Sequence, residues 1–188
     1  MNQKKNESDK FDADNLDVIL EDQEYVIYCR TNEKGECSIL QCSNSIVNLL
    51  GFTKQNLIGQ KIETLMPSIF IGGHSKVISN KLKLLRKSNP GLTKASDKKQ
   101  IFILPRTKVG YLLPVLAKFT IYNDDDFSNT FIIRCKLENK DPKSVYAFYI
   151  LAKDDFTIDS FSSSALTMGL TMDLLKKYVV NLNILVRT

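Results

Sequence analysis

The stretch that decides the fold is CSNSIVNLLGFTKQNLIGQKIETLMPSIFIGGH, residues 42–74. It opens with a polar run in which Ser43 or Asn44 can cap a helix, because a short polar side chain accepts the free N–H groups of the first turn. Apolar residues at helical spacing follow, and Gly51 predicts a left-handed end to that helix. Two further short apolar groups come next, the second of them ending at Pro67. The stretch therefore predicts a row of brief helices.

The same punctuation continues along the chain. Thr53 is placed to cap the second short helix, and Gly59 to end it. Beyond the break at Pro67, the spacing predicts a longer helix that begins at His74 and runs to about Lys87. Its apolar residues form one stripe and its lysines cover the other side, as expected of a helix lying on a core.

Segments of β character lie on both sides of the helices. Upstream, YVIYCR (25–30) and CSILQ (37–41) predict a hairpin turning at Gly35. Downstream, residues 88–99 have the composition of a loop. Further strands are expected at 101–107, 111–122 and 130–138.

The turns between these later strands are also marked. Lys108-Val109-Gly110 predicts one tight turn, and the polar run 123–129 another. Pro105 and Pro114 cannot donate to a sheet ladder, so each is expected at an edge or a bulge. The whole pattern predicts an α+β fold, a five-stranded antiparallel sheet with short helices on one face.

In order and spacing, residues 22–139 resemble PAS domains, the sensory modules of histidine kinases, cyclases, channels and transcription factors. The resemblance rests on these segments: Asn44 to Gly51 with Phe52, Leu57-Ile58-Gly59, Leu65-Met66-Pro67, His74, Lys108-Val109-Gly110 and Pro114-Val115. It implies a sheet whose concave face, covered by the short helices, forms a pocket. Some members hold haem, flavin or a small metabolite there, and others use the sheet to dimerise.

A weak internal repeat extends the resemblance. Residues 146–171 repeat the order of residues 25–53: aromatic strand, polar turn, short strand, serine cap, apolar helix, glycine and threonine. Chance similarity between two amphipathic stretches is the alternative. We expect three parts, a flexible tail (1–21), a PAS domain (22–140) and the start of a second, incomplete PAS-like copy (144–188). This arrangement most resembles the tandem PAS proteins of ciliates and other protists.

Composition narrows the function. The net charge of +5 in 188 residues is mild, and the lysines are scattered, which argues against nucleic acid as a partner. Four cysteines without CxxC spacing, and the lack of an apolar leader or membrane segment, indicate a reduced, cytoplasmic protein without direct membrane contact. A cytosolic part of a larger protein fits equally. Neither a phosphate-binding loop nor a hydrolase or metalloprotease motif occurs, so we expect no enzyme activity.

His74 is the only histidine of the chain and lies seven residues after Pro67. In haem-binding oxygen sensors of the PAS family, a histidine at this distance ligates the iron, so the resemblance makes His74 a candidate haem ligand. The alternative is a structural residue that caps the helix or bonds a loop carbonyl. A photoactive flavin would require a cysteine in the second short helix, and residues 53–59 contain none.

The expected function is therefore sensory or regulatory, acting by ligand binding or by dimerisation at the sheet face. The alternative is a ligand-free scaffold for protein–protein interaction within a larger assembly. The partner would be a second copy of the chain or another PAS or effector domain. The expected pocket wall is apolar and doubles as core: Ile46, Leu50, Leu57, Ile62, Val77, Ile78, Ile103, Leu116, Phe119 and Ile133.

Overall fold

The computed structural model describes residues 24–88, 94–96, 99–123, 130–138, 149–178 and 180–181. The expected tail (1–21) and most of the polar turn at 123–129 lie outside the described residues. Eight strands are described: β1 (Tyr25–Asn32), β2 (Cys37–Cys42), β3 (Lys94–Ser96), β4 (Ile101–Ile103), β5 (Val115–Asn123), β6 (Thr130–Glu138), β7 (Ile150–Ala152) and β8 (Ile158–Phe161). The helices are α1 (Asn44–Leu50), α2 (Lys54–Leu57), α3 (Ser68–Ser88) and α4 (Met172–Lys177), with 3₁₀ turns at Ile62–Leu65 and Ser163–Met168.

The first six strands form one antiparallel sheet in the order β2-β1-β6-β5-β3, and β4 also pairs with β5. β3 pairs with the second half of β5, through Tyr122, and β4 with its first half, through Val115. Two short strands thus share the fifth position of the sheet. Since the helices α1 to α3 lie between β2 and β3 in the chain, the predicted α+β fold is confirmed.

The core lies between this sheet and the helices. Alternate residues of each strand point to opposite faces, and the inner face carries Ile27, Ile133 and Ala117 among others. Ile46, Leu50 and Leu57 of the short helices are fully buried against it. On the outer face, Val26 and Tyr28 are buried with Leu40 and Tyr122.

The caps predicted for the short helices are confirmed. Ser43, not Asn44, caps α1 by accepting the N–H of Ile46, and Gly51 ends it at φ 73°. Thr53 caps α2 by accepting the N–H of Asn56. Each cap satisfies a backbone group that a short helix would otherwise leave without a partner.

The predicted start of the long helix is wrong. α3 begins at Ser68, directly after Pro67, so His74 lies in its second turn. The helix continues through Gly72 and Gly73, where a Cβ atom would meet nothing within 4 Å. Glycine disfavours a helix interior by about 1 kcal/mol, which is why the sequence pattern places the start too late.

The third and fourth predicted strands are shorter than expected, and the predicted loop at 88–99 contains strand β3. Regular pairing stops after Ile103 and resumes at Val115, so Pro105 and Pro114 lie outside the strands. The connection between them is still paired locally, because Leu113 donates its N–H to the carbonyl of Pro105 at 2.8 Å. The expected turn at residues 108–110 is confirmed, with Gly110 at φ 104°.

The residues from 149 to 181, which we call the C-terminal unit, contain a hairpin (β7 and β8), a 3₁₀ turn and α4. Several hydrogen bonds match those of the first hairpin and its helices. Ser162 exchanges two bonds with Tyr149, 2.8 and 2.9 Å, as Ser43 does with Val26, 3.0 and 3.2 Å. Gly169 ends the 3₁₀ turn at φ 78°, as Gly51 ends α1.

The C-terminal unit has a small core of its own. Ile158, Phe161, Ala165 and Leu170 are buried together. Tyr111 of the β4–β5 connection joins this core and packs edge-on against Phe161, with ring centroids 5.6 Å apart. The N–H of Leu112 donates to the carbonyl of Phe161 at 2.8 Å, so the unit is attached by main-chain bonding as well as by packing.

Within the described residues, none of the helices combines the length and the apolar character needed to span a bilayer.

We expect Gly35→Ala to be strongly destabilising. Gly35 has φ 80°, and a Cβ there would stand 1.9 Å from the carbonyl oxygen of Ser75 in α3. Gly59 is the matched control, since it also has φ 80° but a Cβ there meets nothing within 4 Å. Urea unfolding should show a loss of about 1 kcal/mol for Gly59→Ala from backbone strain, and at least about 2 kcal/mol more for Gly35→Ala. Equal losses would contradict the described contact between hairpin and helix.

Candidate ligand cavity between the sheet and the helices

A cavity of about 480 Å³ lies between the inner face of the sheet and the helical layer. Its volume falls within the range of small-molecule sites. The sheet contributes Ile27, Cys29, Cys37, Phe119, Ile133, Cys135 and Leu137. The helical side contributes Ile62, Leu65, Met66, Pro67, Phe70, His74 and Ile78, and the β4 segment closes the wall with Ile101 to Pro105.

Half of the predicted pocket wall faces this cavity. The five residues that do are Ile62, Ile78, Ile103, Phe119 and Ile133. Ile46, Leu50 and Leu57 are fully buried in the core under the short helices and lie outside the lining.

Val77 and Leu116 are also outside the lining, for a geometric reason. Val77 is 63% exposed, because it lies on the outer side of α3. Leu116 alternates with Val115 and Ala117, which face the core, so it belongs to the opposite face of the sheet. Helical and strand periods alone did not show which face is inner at these two positions.

His74 is the sole described lining residue whose side chain carries nitrogen or oxygen. Its Nδ1 lies 3.0 Å from Oε1 of Glu63, and both side chains are mostly buried, 19% and 16% exposed. The second carboxylate oxygen, Oε2, is buried without a hydrogen-bond partner. The ring is thus held at the cavity by one carboxylate, and a strongly polar group stands behind an otherwise apolar wall.

Three cysteines lie on adjacent strands at the cavity, each displaced by two residues along the sheet from the next: Cys37 on β2, Cys29 on β1 and Cys135 on β6. Burial raises the pKa of Cys29 well above its ordinary value, and the neighbouring Cys37 and Cys135 raise it further. Burial also raises the pKa of Cys37, partly offset by a hydrogen bond from Thr31. The thiols of Cys29 and Cys37 are therefore protonated at neutral pH and behave as small apolar groups.

The described residues fit the predicted haem at its iron but not at its carboxylates. An imidazole that donates one ring N–H to a carboxylate is a common arrangement of a metal-ligating histidine, and His74 with Glu63 has it. Haem also carries two carboxylates, and among the described lining residues none is Lys or Arg. Haem ligation by His74 stays a prediction.

The rim of the cavity contacts the C-terminal unit. Phe102, which lines the cavity, packs on Tyr149 with ring centroids 5.3 Å apart. The hydroxyl of Ser68, in the first turn of α3, donates to the carboxylate of Asp159 in β8. Phe70, two residues further along α3, lines the same cavity.

Several lining residues were missed at the level of sequence, and so was Glu63, which stands behind His74 outside the lining. Phe70 and Phe102 are each 47% exposed although they line the cavity, so they stand at its mouth. Glu63 gave no signal, because a lone acid in a short helix is usually a surface residue. The alternation of β1 does place Cys29 and Ile27 on one face, and that pattern could have identified the cysteine.

No family model and no curated protein matches the chain. Solved structures do. The PAS domain of an HTR-like protein from Haloarcula marismortui is 12% identical with a TM-score of 0.43, covering 67% of this chain and 96% of that one. A domain of a sensory box sensor histidine kinase/response regulator from Geobacter sulfurreducens is 10% identical with a TM-score of 0.44, covering 67% and 93%.

The chain resembles PAS domains. A third similar structure, the PAS-B domain of Cycle from Drosophila melanogaster with bound ethylene glycol, is 14% identical with a TM-score of 0.39, covering 60% of this chain and 97% of that one. The PAS-like sheet and its helical layer are what position the cavity.

The raised thiol pKa values predict a loss of stability at alkaline pH. Unfolded thiols ionise near pH 8.5, whereas those of Cys29 and Cys37 stay protonated to higher pH when folded. Their contribution is complete below the unfolded pKa and declines as the pH rises toward the folded pKa. Between about pH 8.5 and 10, the unfolding free energy should fall less steeply with pH in Cys29→Val than in the wild type. The slope should differ by up to about 1.4 kcal/mol per pH unit.

The control for this prediction is Ile27→Val, a substitution of a neighbouring cavity residue that does not titrate. It should lower stability by about 1 kcal/mol at every pH and leave the slope as in the wild type. An unchanged slope in Cys29→Val would contradict the burial of this thiol.

Proposed function

We propose that the chain is a sensory or regulatory module in which occupancy of the cavity controls how firmly the C-terminal unit is attached. One observation carries the proposal. Phe102 belongs both to the cavity wall and to the contact with Tyr149, so a ligand in the cavity and the C-terminal unit would contact the same ring. A change at one contact is therefore felt at the other.

A second contact supports the same coupling. The first turn of α3 presents Phe70 to the cavity and Ser68 to Asp159 of the C-terminal unit. Gly72 and Gly73 follow at once, where no neighbouring atom requires a glycine. Each weakens the helix by about 1 kcal/mol, so this first turn can adjust more easily than the rest of α3.

The direction of the effect follows from the contacts. A ligand that fills the cavity supports Phe102 in the position in which it meets the C-terminal unit. It also supports Phe70 in the first turn of α3, whose Ser68 bonds to Asp159 of that unit. It therefore binds the attached arrangement better than the detached one, and a ligand shifts such an equilibrium only by this difference in affinity. Couplings between sites in proteins are typically about 1–3 kcal/mol.

The hydrogen bonds shared by the two hairpins support a further part of the proposal, that the C-terminal unit is the first half of a second PAS-like copy. Besides the serine and glycine matches, Ser38 bridges Lys61 in the first copy as Thr157 bridges Asn181 in the second. The partner would then be a second copy of the chain or another PAS or effector domain, contacted through the sheet. A non-catalytic role is part of the same proposal.

We expect ligand occupancy to slow hydrogen exchange at the attachment. The probe is naphthol, an apolar fluorescent alcohol of a size that the cavity admits. At saturation, exchange of the Leu112 amide, which donates to Phe161, should slow by about tenfold. The Ser43 amide, which donates to Val26 away from the lining, is the internal reference for global stabilisation.

The variant Ser68→Ala should separate ligand binding from the effect of the ligand on the attachment of the C-terminal unit. It removes the hydroxyl that meets Asp159 while leaving every lining side chain in place. Naphthol should bind with unchanged affinity, and the slowing at Leu112 should shrink. If saturating naphthol slows Leu112 no more than Ser43 in the wild type, the coupling does not exist and the ligand-free scaffold becomes the better reading.

A further inference from the structure

We propose that the cavity takes a compact apolar molecule with a single hydroxyl group, which donates a hydrogen bond to Nε2 of His74. The inference deepens the proposed function, on which it rests, by naming the chemical class of the ligand and the one residue that selects it.

The apolar part of the ligand follows from the lining. Except for His74, the described side chains around the cavity are hydrocarbon, thioether or thiol, and burial keeps the thiols of Cys29 and Cys37 neutral. A polar group buried here without a partner is unfavourable by about 1–3 kcal/mol. A molecule with several polar groups, such as a sugar, would leave most of them without partners.

The hydroxyl follows from the state of His74. A carboxylate only accepts hydrogen bonds, so the Nδ1 that lies 3.0 Å from Glu63 Oε1 carries the proton. In the proposed state the ring is neutral, and in a neutral imidazole with the proton on Nδ1 the other nitrogen, Nε2, has a lone pair and accepts. The matching ligand group is a donor, and an ether or a ketone supplies none.

A carboxylate at Glu63 argues against an anionic ligand, which is the main alternative. Its Oε2 is buried and without a partner behind His74, so the negative charge is poorly screened. In a low-dielectric interior this charge repels a carboxylate or phosphate brought into the cavity. A neutral alcohol or phenol meets the lone pair of His74 without that repulsion.

The test compares naphthol with its methyl ether, which has the same ring system and no donor. We expect the wild type to bind naphthol about tenfold more tightly than the ether by equilibrium dialysis. In His74→Phe, which keeps an apolar ring at the position, this preference should disappear while the ether still binds. Equal affinity of the wild type for the two compounds, or a preference that survives in His74→Phe, would overturn the inference.

A second measurement needs no variant. Since His74 is the only histidine of the chain, NMR of the imidazole nitrogens reports on this residue alone. Naphthol should shift the Nε2 resonance in the direction of an accepted hydrogen bond, and the methyl ether should leave it in place. A shift of Nδ1 alone, or none, would overturn the inference even if His74→Phe fails to fold.

The outcomes separate this inference from the proposed function. Equal binding of the two compounds that still slows exchange at Leu112 overturns the hydroxyl rule only. A clear preference for naphthol without any change at Leu112 overturns the coupling only. Failure of both compounds to bind overturns both proposals. A Soret band with haemin that His74→Phe abolishes assigns Nε2 to iron and overturns the proposal of an alcohol ligand.

Discussion

Eight consecutive residue pairs join β1 to β6, from Tyr25 opposite Leu137 to Asn32 opposite Thr130, and the remaining architecture depends on this pairing. It brings a strand from the start of the PAS-like domain beside one from its end, at the centre of the sheet. The helices between β2 and β3 are thereby confined to one face, where they cover the inner side chains of both strands. The cavity exists because this helical layer fills that concave face incompletely.

The helical layer is held at two ends by different means. At one end, Ser43 ties the start of α1 to Val26 of β1 through a pair of hydrogen bonds. At the other, the β1–β2 turn meets α3 so closely that only a glycine fits at position 35, and Ser79 donates to the carbonyl of Glu33 at 2.6 Å. Between these anchors lie the 3₁₀ turn with Glu63 and the first turns of α3. That intermediate region carries the Glu63–His74 pair and the mouth of the cavity.

The C-terminal unit makes the cavity more than a packing defect. Phe102 and Ser68 touch it from the rim, and Leu112 bonds to it through the main chain. The cavity wall and the attachment therefore share Phe102, and in the proposed function this shared ring is how a ligand biases the attachment. Its small apolar core, built on Phe161, gives this unit the rigidity to register such a change.

Much of the fold was predictable, since the signals that fix it are local. Serine and threonine caps, Gly51 and alternating strands such as β1 act over a few residues, and they yielded most of the elements and the fold class. The start of α3 was missed because Gly72 and Gly73 lower the local helix propensity, and packing in the folded chain overrides that local preference. Strand β3 was missed because the segment Lys94-Ala95-Ser96 has the composition of a loop and forms a strand only by pairing with β5.

The candidate site was half predictable, for the same physical reason. A period of two or of 3.6 residues identifies a buried face, which gave Ile78, Ile103, Phe119 and Ile133. It cannot tell a residue that packs against another from one that borders empty space, so Ile46, Leu50 and Leu57 were placed in a wall to which they do not belong. The sequence by itself determined most of the elements and which residues are apolar. Only the tertiary structure decided where the volume lies, that Glu63 stands behind His74, and that Phe102 touches both the cavity and Tyr149, because each of these joins residues far apart in the chain.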